Sequence, residues 1–584
     1  MTRAMSLSPP GPASRLPILV APVLFLLVYG VAGFHYETND DPIMEVIFRG
    51  LLFPAAPSRE IGFAHLFTAS AFGWLYERVP GFPWYGASMC LLSLAAVVNV
   101  LSVVDDLIGS RRQLLGRTGI LALFFVVFLV DGVVLLNFTR VAILLAGSAL
   151  LALHRAVARP GGLPRSALGA GLLLFGLALL TRPEAAALSL ITAGVFVLLI
   201  AQRGERRTLA KCGVALVAMV AVLHAHSVQS PREAHFRAAY PFLVNIRDFG
   251  WTRGGKLSAE DSLRLEGINS WLVCDRDTVN VGFLSRVASD RHVTADKLRW
   301  DRGIHGLGQL ARGLGPGGWL LVLGNGCLLA LALLRSRGEG SGRVLRHAAA
   351  HALFWAMVCL LAVFMRVIPR VLSPLVALYA CASVATLAEL GPSFLKTETH
   401  RLRAAAGVLL ALLGVYAVTS GTREIAVTCG EGERTNERLL RRLNNRLDGS
   451  IVILPRPALL AFQYLDPLKG VRLSPRNRYL ILGGWPCLLA AFESDSESIA
   501  GSARLAELVL ALPRTGALIL SNDRYNGFLE EYLARLHGVR LSFVPRSPWL
   551  SVGVGTKHRL RLYSFRTAIP AMRLGSSEEP RETP

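Results

Sequence analysis

Long apolar runs separated by short basic ones set the pattern of this 584-residue chain. A helix needs ~20 apolar residues to cross a bilayer, and runs near that length recur. They place eleven spans, at 17–34, 84–104, 118–136, 138–153, 167–181, 184–202, 208–226, 317–335, 347–366, 371–389 and 404–421. Arginines crowd the connections, as at Arg111, Arg112 and Arg117, at Arg203, Arg206 and Arg207, and at Arg335, Arg337, Arg343 and Arg346. With residues 1–16 as a cytoplasmic tail, this count puts those connections on the cytoplasmic side, as the positive-inside bias requires. The apolar stretch 61–76 must then lie along the outer interface, because a crossing there would invert every later loop. Its Trp74 and Tyr76 suit that position. Segment 35–83 becomes a first external loop, and 227–316 a second, larger one.

Beyond residue 421 the periodicity changes. Short β-type runs at 450–454, 479–482, 517–521 and 539–544 alternate with helical runs at 436–447, 502–512 and 525–537. That alternation predicts a small extracytoplasmic α/β domain over 422–572. The polar tail, 573–584, is expected to be disordered. The fold class is therefore mainly α, a polytopic membrane protein with a C-terminal α/β domain outside the membrane.

Composition agrees. The chain is 52% hydrophobic and 17% charged, with a mean hydropathy of +0.46. The net charge of +22 could suit a nucleic-acid binder, but the basic residues are spread between apolar runs and not gathered in a patch. Charge here reads as topology, and nucleic acid is excluded as a partner. The eight cysteines show no CxxC or Cys/His zinc spacing. Cys274, Cys429 and Cys487 fall outside the spans; a Cys429–Cys487 disulfide is compatible with that placement, though nothing in the spacing selects it. His224 and His226 read either as interfacial residues, the commoner case, or as a metal-binding pair. No GxGxxG or Walker A spacing occurs between a strand and a helix.

What remains for chemistry is a set of polar residues on the predicted outer side. His35-Tyr36-Glu37-Thr38-Asn39-Asp40-Asp41-Pro42 follows the first span. Asp41 suits an N-cap and Pro42 a first helical turn, with Gly50 as the stop. Asp40 is then free to act as a base; the alternative is that both acids only cap the helix. Tyr36 and Asn39 of the same stretch are candidates for substrate contact. Asp131, an acid within the predicted span 118–136, is a further candidate. Arg182 and Glu184 form a tight outer turn, as do Arg366 and Arg370. Guanidinium forks bind phosphate well, so these arginines are candidates for a lipid phosphate. If both Asp40 and Asp41 point inward, they would suit a divalent cation such as Mg or Mn.

The motif Asn39-Asp40-Asp41-Pro42, the turn Arg182-Pro183-Glu184 and the run from Arg366 to Pro374 resemble those of GT-C-type membrane glycosyltransferases, a group including protein O-mannosyltransferases and lipid A aminoarabinose transferases. The resemblance covers roughly 17–421. It implies a polyprenyl-phosphate sugar as donor, with Asp40 or Asp41 as base or metal ligand. It also implies Asp131 as a second acid, Arg366 and Arg370 on the phosphate, and acceptor binding by the C-terminal domain. The expected function is transfer of a sugar to an envelope glycan, lipid or protein at the outer face of the cytoplasmic membrane. A flippase of lipid-linked sugars or a non-enzymatic membrane scaffold would use the same residues differently.

Overall fold

The computed structural model describes residues 15–52, 62–108, 113–158, 165–228, 234–248, 252, 257–288, 300–335, 340–364, 368–394, 423–502, 504–554 and 558–568. Six described helices are long and apolar enough to cross a membrane: Trp84–Ile108, Phe138–Val157, Pro183–Ile200, Gly204–His226, Gly342–Val363 and Pro369–Thr386. Leu16–Ala32, Leu114–Phe128 and Ser166–Thr181 are apolar but shorter. The chain is thus a multi-pass membrane protein, and among the described residues six helices, of the eleven spans expected, have the length and hydropathy of a full crossing.

The predicted span 118–136 breaks in two. Helix Leu114–Phe128 stops at Leu129, and a short helix, Val130–Val134, carries Asp131 beyond it. The predicted span 317–335 forms the second half of the 36-residue helix Trp300–Arg335, which is not among the six. The span expected at 404–421 and the tail 573–584 lie outside the described residues. The stretch expected at the interface holds helix Leu66–Arg78. Its 13 residues extend only roughly 20 Å at the ~1.5 Å rise of an α-helix, too short to cross.

Helix Phe138–Val157 is the axis of the bundle. It packs against Trp84–Ile108, Arg165–Thr181, Pro183–Ile200 and Pro369–Phe394, and 89% of its apolar window is buried. Its start is held by a two-residue ladder. Strand β1 (His35–Tyr36) pairs in parallel with β2 (Leu135–Leu136). Tyr36 also donates its N–H to Leu465 O and accepts from Tyr464 N, each at 3.0 Å. Three distant segments therefore meet just before Asp40.

The region 423–568 opens with helix Arg423–Arg446 and builds a six-stranded sheet. Its strands are β3 (Ile451–Pro455), β4 (Arg478–Leu482), β5 (Leu518–Ser521), β6 (Arg540–Pro545), β7 (Leu550–Ser551) and β8 (Arg559–Ala568). The order is β4-β3-β5-β8-β6, with β7 on β8. Strand β3 is parallel to both β4 and β5, whereas β8 runs antiparallel to β5 and β6. The runs Ile-Val-Ile-Leu, Tyr-Leu-Ile-Leu and Leu-Ile-Leu are apolar on both faces, as parallel strands covered on both sides demand. Strand β8, the longest, and helix Ala490–Ala500 were not expected from the sequence.

Between bundle and sheet lies helix Asp40–Phe48, every residue of which after Asp40 is buried. It ends in a Schellman turn: Gly50 donates its N–H to Ile47 O and Leu51 to Val46 O, both at 3.0 Å. Gly50 adopts φ of +67°, a conformation that favours glycine. Glu45, fully buried, accepts from Tyr36 Oη at 2.9 Å and from Val471 N at 3.3 Å, so this helix is bonded to the α/β region.

Candidate active site

The acid pair of the Asp40 helix is split by the helix itself. The helix begins at Asp40, not after an Asp41 cap, and Asn39 in the cap position makes no side-chain capping bond. Successive side chains on a helix point about 100° apart. Asp41 therefore turns inward as Asp40 turns outward. Asp41 is completely buried and accepts three hydrogen bonds: Tyr85 Oη at 2.8 Å, Asn137 Nδ2 at 2.8 Å and Phe138 N at 3.1 Å. It ties this helix to the start of Phe138–Val157. Burial, opposed by the Tyr85 hydrogen bond, pushes its carboxyl up to about 7.

Asp40 instead faces a cavity of about 1770 Å³ between the bundle end and the α/β region. Its carboxylate is 26% exposed. Trp485 Nε1 donates to Oδ1 at 3.2 Å, and Arg370 Nη1 stands 3.9 Å from Oδ2. That second distance is an ion pair too long for a hydrogen bond, which leaves Asp40 oxygen capacity unused. Arg370 Nε has no hydrogen-bond partner among the described residues.

The other candidates divide. Asn39, Arg182, Glu184 and Arg370 line the same cavity as Asp40. Arg182 caps the helix Pro183–Ile200, donates Nη1 to Thr139 Oγ1 at 2.8 Å, and lies 4.6 Å from the Phe138 ring centroid. Its Nε is 3.9 Å from Glu184, which is 78% exposed, so that acid neutralises it only weakly. Arg366 lies outside the described residues. Tyr36 is completely buried with its hydroxyl on Glu45, and it is not among the cavity's lining residues. Asp131 is exposed on its short helix and does not line the cavity.

The condition for a cation between Asp40 and Asp41 also fails, because the two carboxyls serve different spaces. Glu37, the next acid on the cavity wall, is held by Arg140 through both oxygens, at 2.8 and 3.1 Å. Among the described residues no three His, Cys, Asp or Glu side chains group as metal ligands. His226 stacks on Phe67 and His65, with ring centroids 4.5 and 5.5 Å away.

Several cavity residues had no local signal. Trp485 follows β4 and packs its ring on Phe63 at 4.8 Å. Arg456 follows β3, and Asn522, Arg524 and Tyr525 follow β5; all line the cavity. Ligands of open α/β sheets bind beyond the carboxyl ends of the strands, and here residues just beyond those ends of all three parallel strands line the cavity that Asp40 lines. Arg247, from the long second loop, lies 3.8 Å over the Trp271 ring, and both residues line the wall. Among the described residues six arginines line the cavity, which exceeds the roughly 300–1,000 Å³ of a single small-ligand pocket. It can take an anion and a second molecule together.

The bundle and α/β region together resemble known folds only loosely. Two solved structures of ArnT from Cupriavidus metallidurans, one apo and one bound to undecaprenyl phosphate, are similar to this chain. Identity is 15% and 14%, with a TM-score of 0.39 for both, and each alignment covers 94% of this chain and 97% of the other. No protein-family model and no curated protein sequence matches the chain.

Proposed function

We propose that this protein is a membrane glycosyltransferase that moves a sugar from a polyprenyl-phosphate donor to an envelope glycan, lipid or protein. The reaction takes place at the outer face of the cytoplasmic membrane, with the α/β region outside and the N-terminus inside. One observation carries the reading. A partly exposed carboxylate, Asp40, faces a large cavity at the end of a membrane bundle, with an incompletely neutralised guanidinium 3.9 Å away.

The chemistry follows from those two groups. The donor's chain stays in the bilayer and its phosphate enters from the bundle end, beside Arg370 and Arg182. The acceptor hydroxyl enters from the sheet side. Its proton passes to Asp40 as its oxygen attacks the anomeric carbon from the face opposite the phosphate. The bond between anomeric carbon and phosphate oxygen breaks, and the phosphate leaves with the electron pair, so the anomeric centre inverts. Arg370 and Arg182 neutralise the leaving phosphate in a site where fixed charge counts for more than in water. A positioned base of this kind accelerates a reaction about 10²–10⁴-fold.

The test is a product assay. Membranes containing the protein receive a sugar-labelled polyprenyl-phosphate donor and an envelope extract. The reading expects label in the acceptor and an equal amount of free polyprenyl phosphate. Label recovered only as intact donor in the opposite leaflet would replace transfer by transport, and label left where it began would leave a scaffold.

A further inference from the structure

Two strips of chain run side by side near Asp40. Residues 271–276 come from the long second loop, and 483–488 from the turn after β4. Gly484 donates its N–H to Trp271 O at 2.8 Å, and Arg276 Nη2 donates to Cys487 O at 3.5 Å. Arg276 also pairs with Glu493. Trp271 holds φ of +61°, a left-handed conformation that costs a bulky side chain energy and persists only where surroundings enforce it. The loop is therefore pressed onto the α/β region at a fixed register.

That register brings two thiols together. Cys274 and Cys487 are 2% and 0% exposed. Both are free thiols in this structure, and the contacts Gly484–Trp271 and Arg276–Cys487 bring their two strips of chain side by side, with Cys487 near enough to raise the Cys274 thiol. Cys487 Sγ itself accepts from Gly483 N at 3.0 Å and donates to Ile481 O at 3.2 Å, so it is held in place. Cys429, whose pairing with Cys487 is compatible with the sequence but not selected by it, sits on helix Arg423–Arg446 near Glu37.

We propose that Cys274 and Cys487 are joined by a disulfide in the mature protein, clamping the second loop beside the tryptophan that holds Asp40. The inference rests on the extracytoplasmic placement given above, since disulfides persist in oxidising compartments and not in the cytoplasm. The oxidant is an extracytoplasmic protein of the thiol–disulfide oxidase class. One thiolate attacks its disulfide to give a mixed disulfide, and the other displaces the carrier. Two thiols lose two protons and two electrons, and the carrier leaves as a dithiol. Burial, with Cys487 beside it, holds the folded Cys274 thiol well above the ordinary range. Exchange therefore belongs to folding, before the loop closes. Trp485 stands two residues from Cys487, so the clamp also fixes the indole on Asp40.

The full-length protein is extracted from membranes without reductant, under acid quench, then alkylated with N-ethylmaleimide and digested for mass spectrometry. The expected result is a cross-linked Cys274–Cys487 peptide pair that takes up label only after reduction. Alkyl groups on both residues before reduction overturn the proposal. Reductant should lower transfer by the wild type several-fold, and Cys274→Ser should lower it as much and then resist reductant; Cys429→Ser should match the wild type. An exposed reporter, Arg476→Cys, separates the two claims. If an impermeant maleimide labels that variant in intact cells and Cys274 and Cys487 are still free, the disulfide alone falls. If the reporter is shielded, the extracytoplasmic placement falls with it.

Discussion

The indole N–H of Trp485 donates to Asp40 Oδ1 at 3.2 Å, across 445 residues of chain. Asp40 belongs to the first helix after the N-terminal apolar segment, and Trp485 to the turn after a strand of the α/β region. The carboxylate is thus held by one region while it faces a cavity shared by both. Its unoccupied oxygen capacity points toward Arg370, and Trp485 sets the angle at which it does so.

Trp485→Phe should keep the ring packing on Phe63 and lose only the hydrogen bond. A hydrogen bond to a charged group contributes about 1.5–3 kcal/mol, which corresponds to roughly ten-fold or more in kcat. Steady-state kinetics with a labelled donor, beside a melting curve, checks this: kcat should fall and the melting temperature should stay within a few degrees.

Arg370→Ala should act on donor affinity. The guanidinium lies in the cavity with Asp40 at 3.9 Å and, among the described residues, no partner for its Nε. Removing it should raise KM for the polyprenyl-phosphate donor at least ten-fold. Arg370→Lys should recover only part, because a point charge lacks the fork. Titration of donor at fixed acceptor reads the effect.

Asp41 predicts a pH signature in stability. Burial raises its folded pKa to about 7 from an ordinary 3.8. The folded state then holds the proton more tightly than the unfolded one. The contribution is full below about 3.8 and is lost as pH rises through about 7. A shift of this size corresponds to a few kcal/mol at most. Asp41→Asn removes the titration and leaves an amide N–H facing Asn137 Nδ2, so it should melt lower than the wild type. The gap should be wider at pH 5 than at pH 8. Melting in detergent at the two values tests it, and a gap that widens with pH would contradict the assignment.

Arg140 should be structural. It is 3% exposed, grips Glu37 through two oxygens and donates Nη1 to Ser373 Oγ at 2.7 Å. Breaking a buried pair from one side costs about 3–5 kcal/mol. Arg140→Ala should therefore lower the yield of folded protein, and adding Glu37→Leu should recover part of it. Recovery of monodisperse protein by size exclusion measures both.

The helical bundle and the parallel core of the sheet were legible in the sequence because periodicity is local. Apolar runs showed six of the spans, and Ile451–Pro455 and Leu518–Ser521 read as strands from their own residues. Gly50 announced the end of the Asp40 helix. Strand β8 lies outside the predicted strands although Leu560 and Leu562 alternate with arginines, because the basic composition masks that period-two signal. The start of the Asp40 helix is ambiguous in the sequence, because Asp and Asn fit both the cap and the first turn. That choice decided which acid faces the cavity, and it was settled by Tyr85 and Asn137, which hold Asp41 from elsewhere in the chain. Trp485, Arg456 and Arg140 carried no local sign, since their role comes from contacts with residues far away in sequence.

Transfer by Asp40→Asn tests the central claim most directly. Wild-type and variant protein, matched for amount and melting temperature in the same membranes, receive the labelled donor and acceptor extract. Loss of a base whose contribution is on the order of 10²–10⁴-fold should cut label transfer at least a hundred-fold while donor binding persists. Transfer by the variant at the wild-type rate would contradict it and remove the chemistry from this carboxylate.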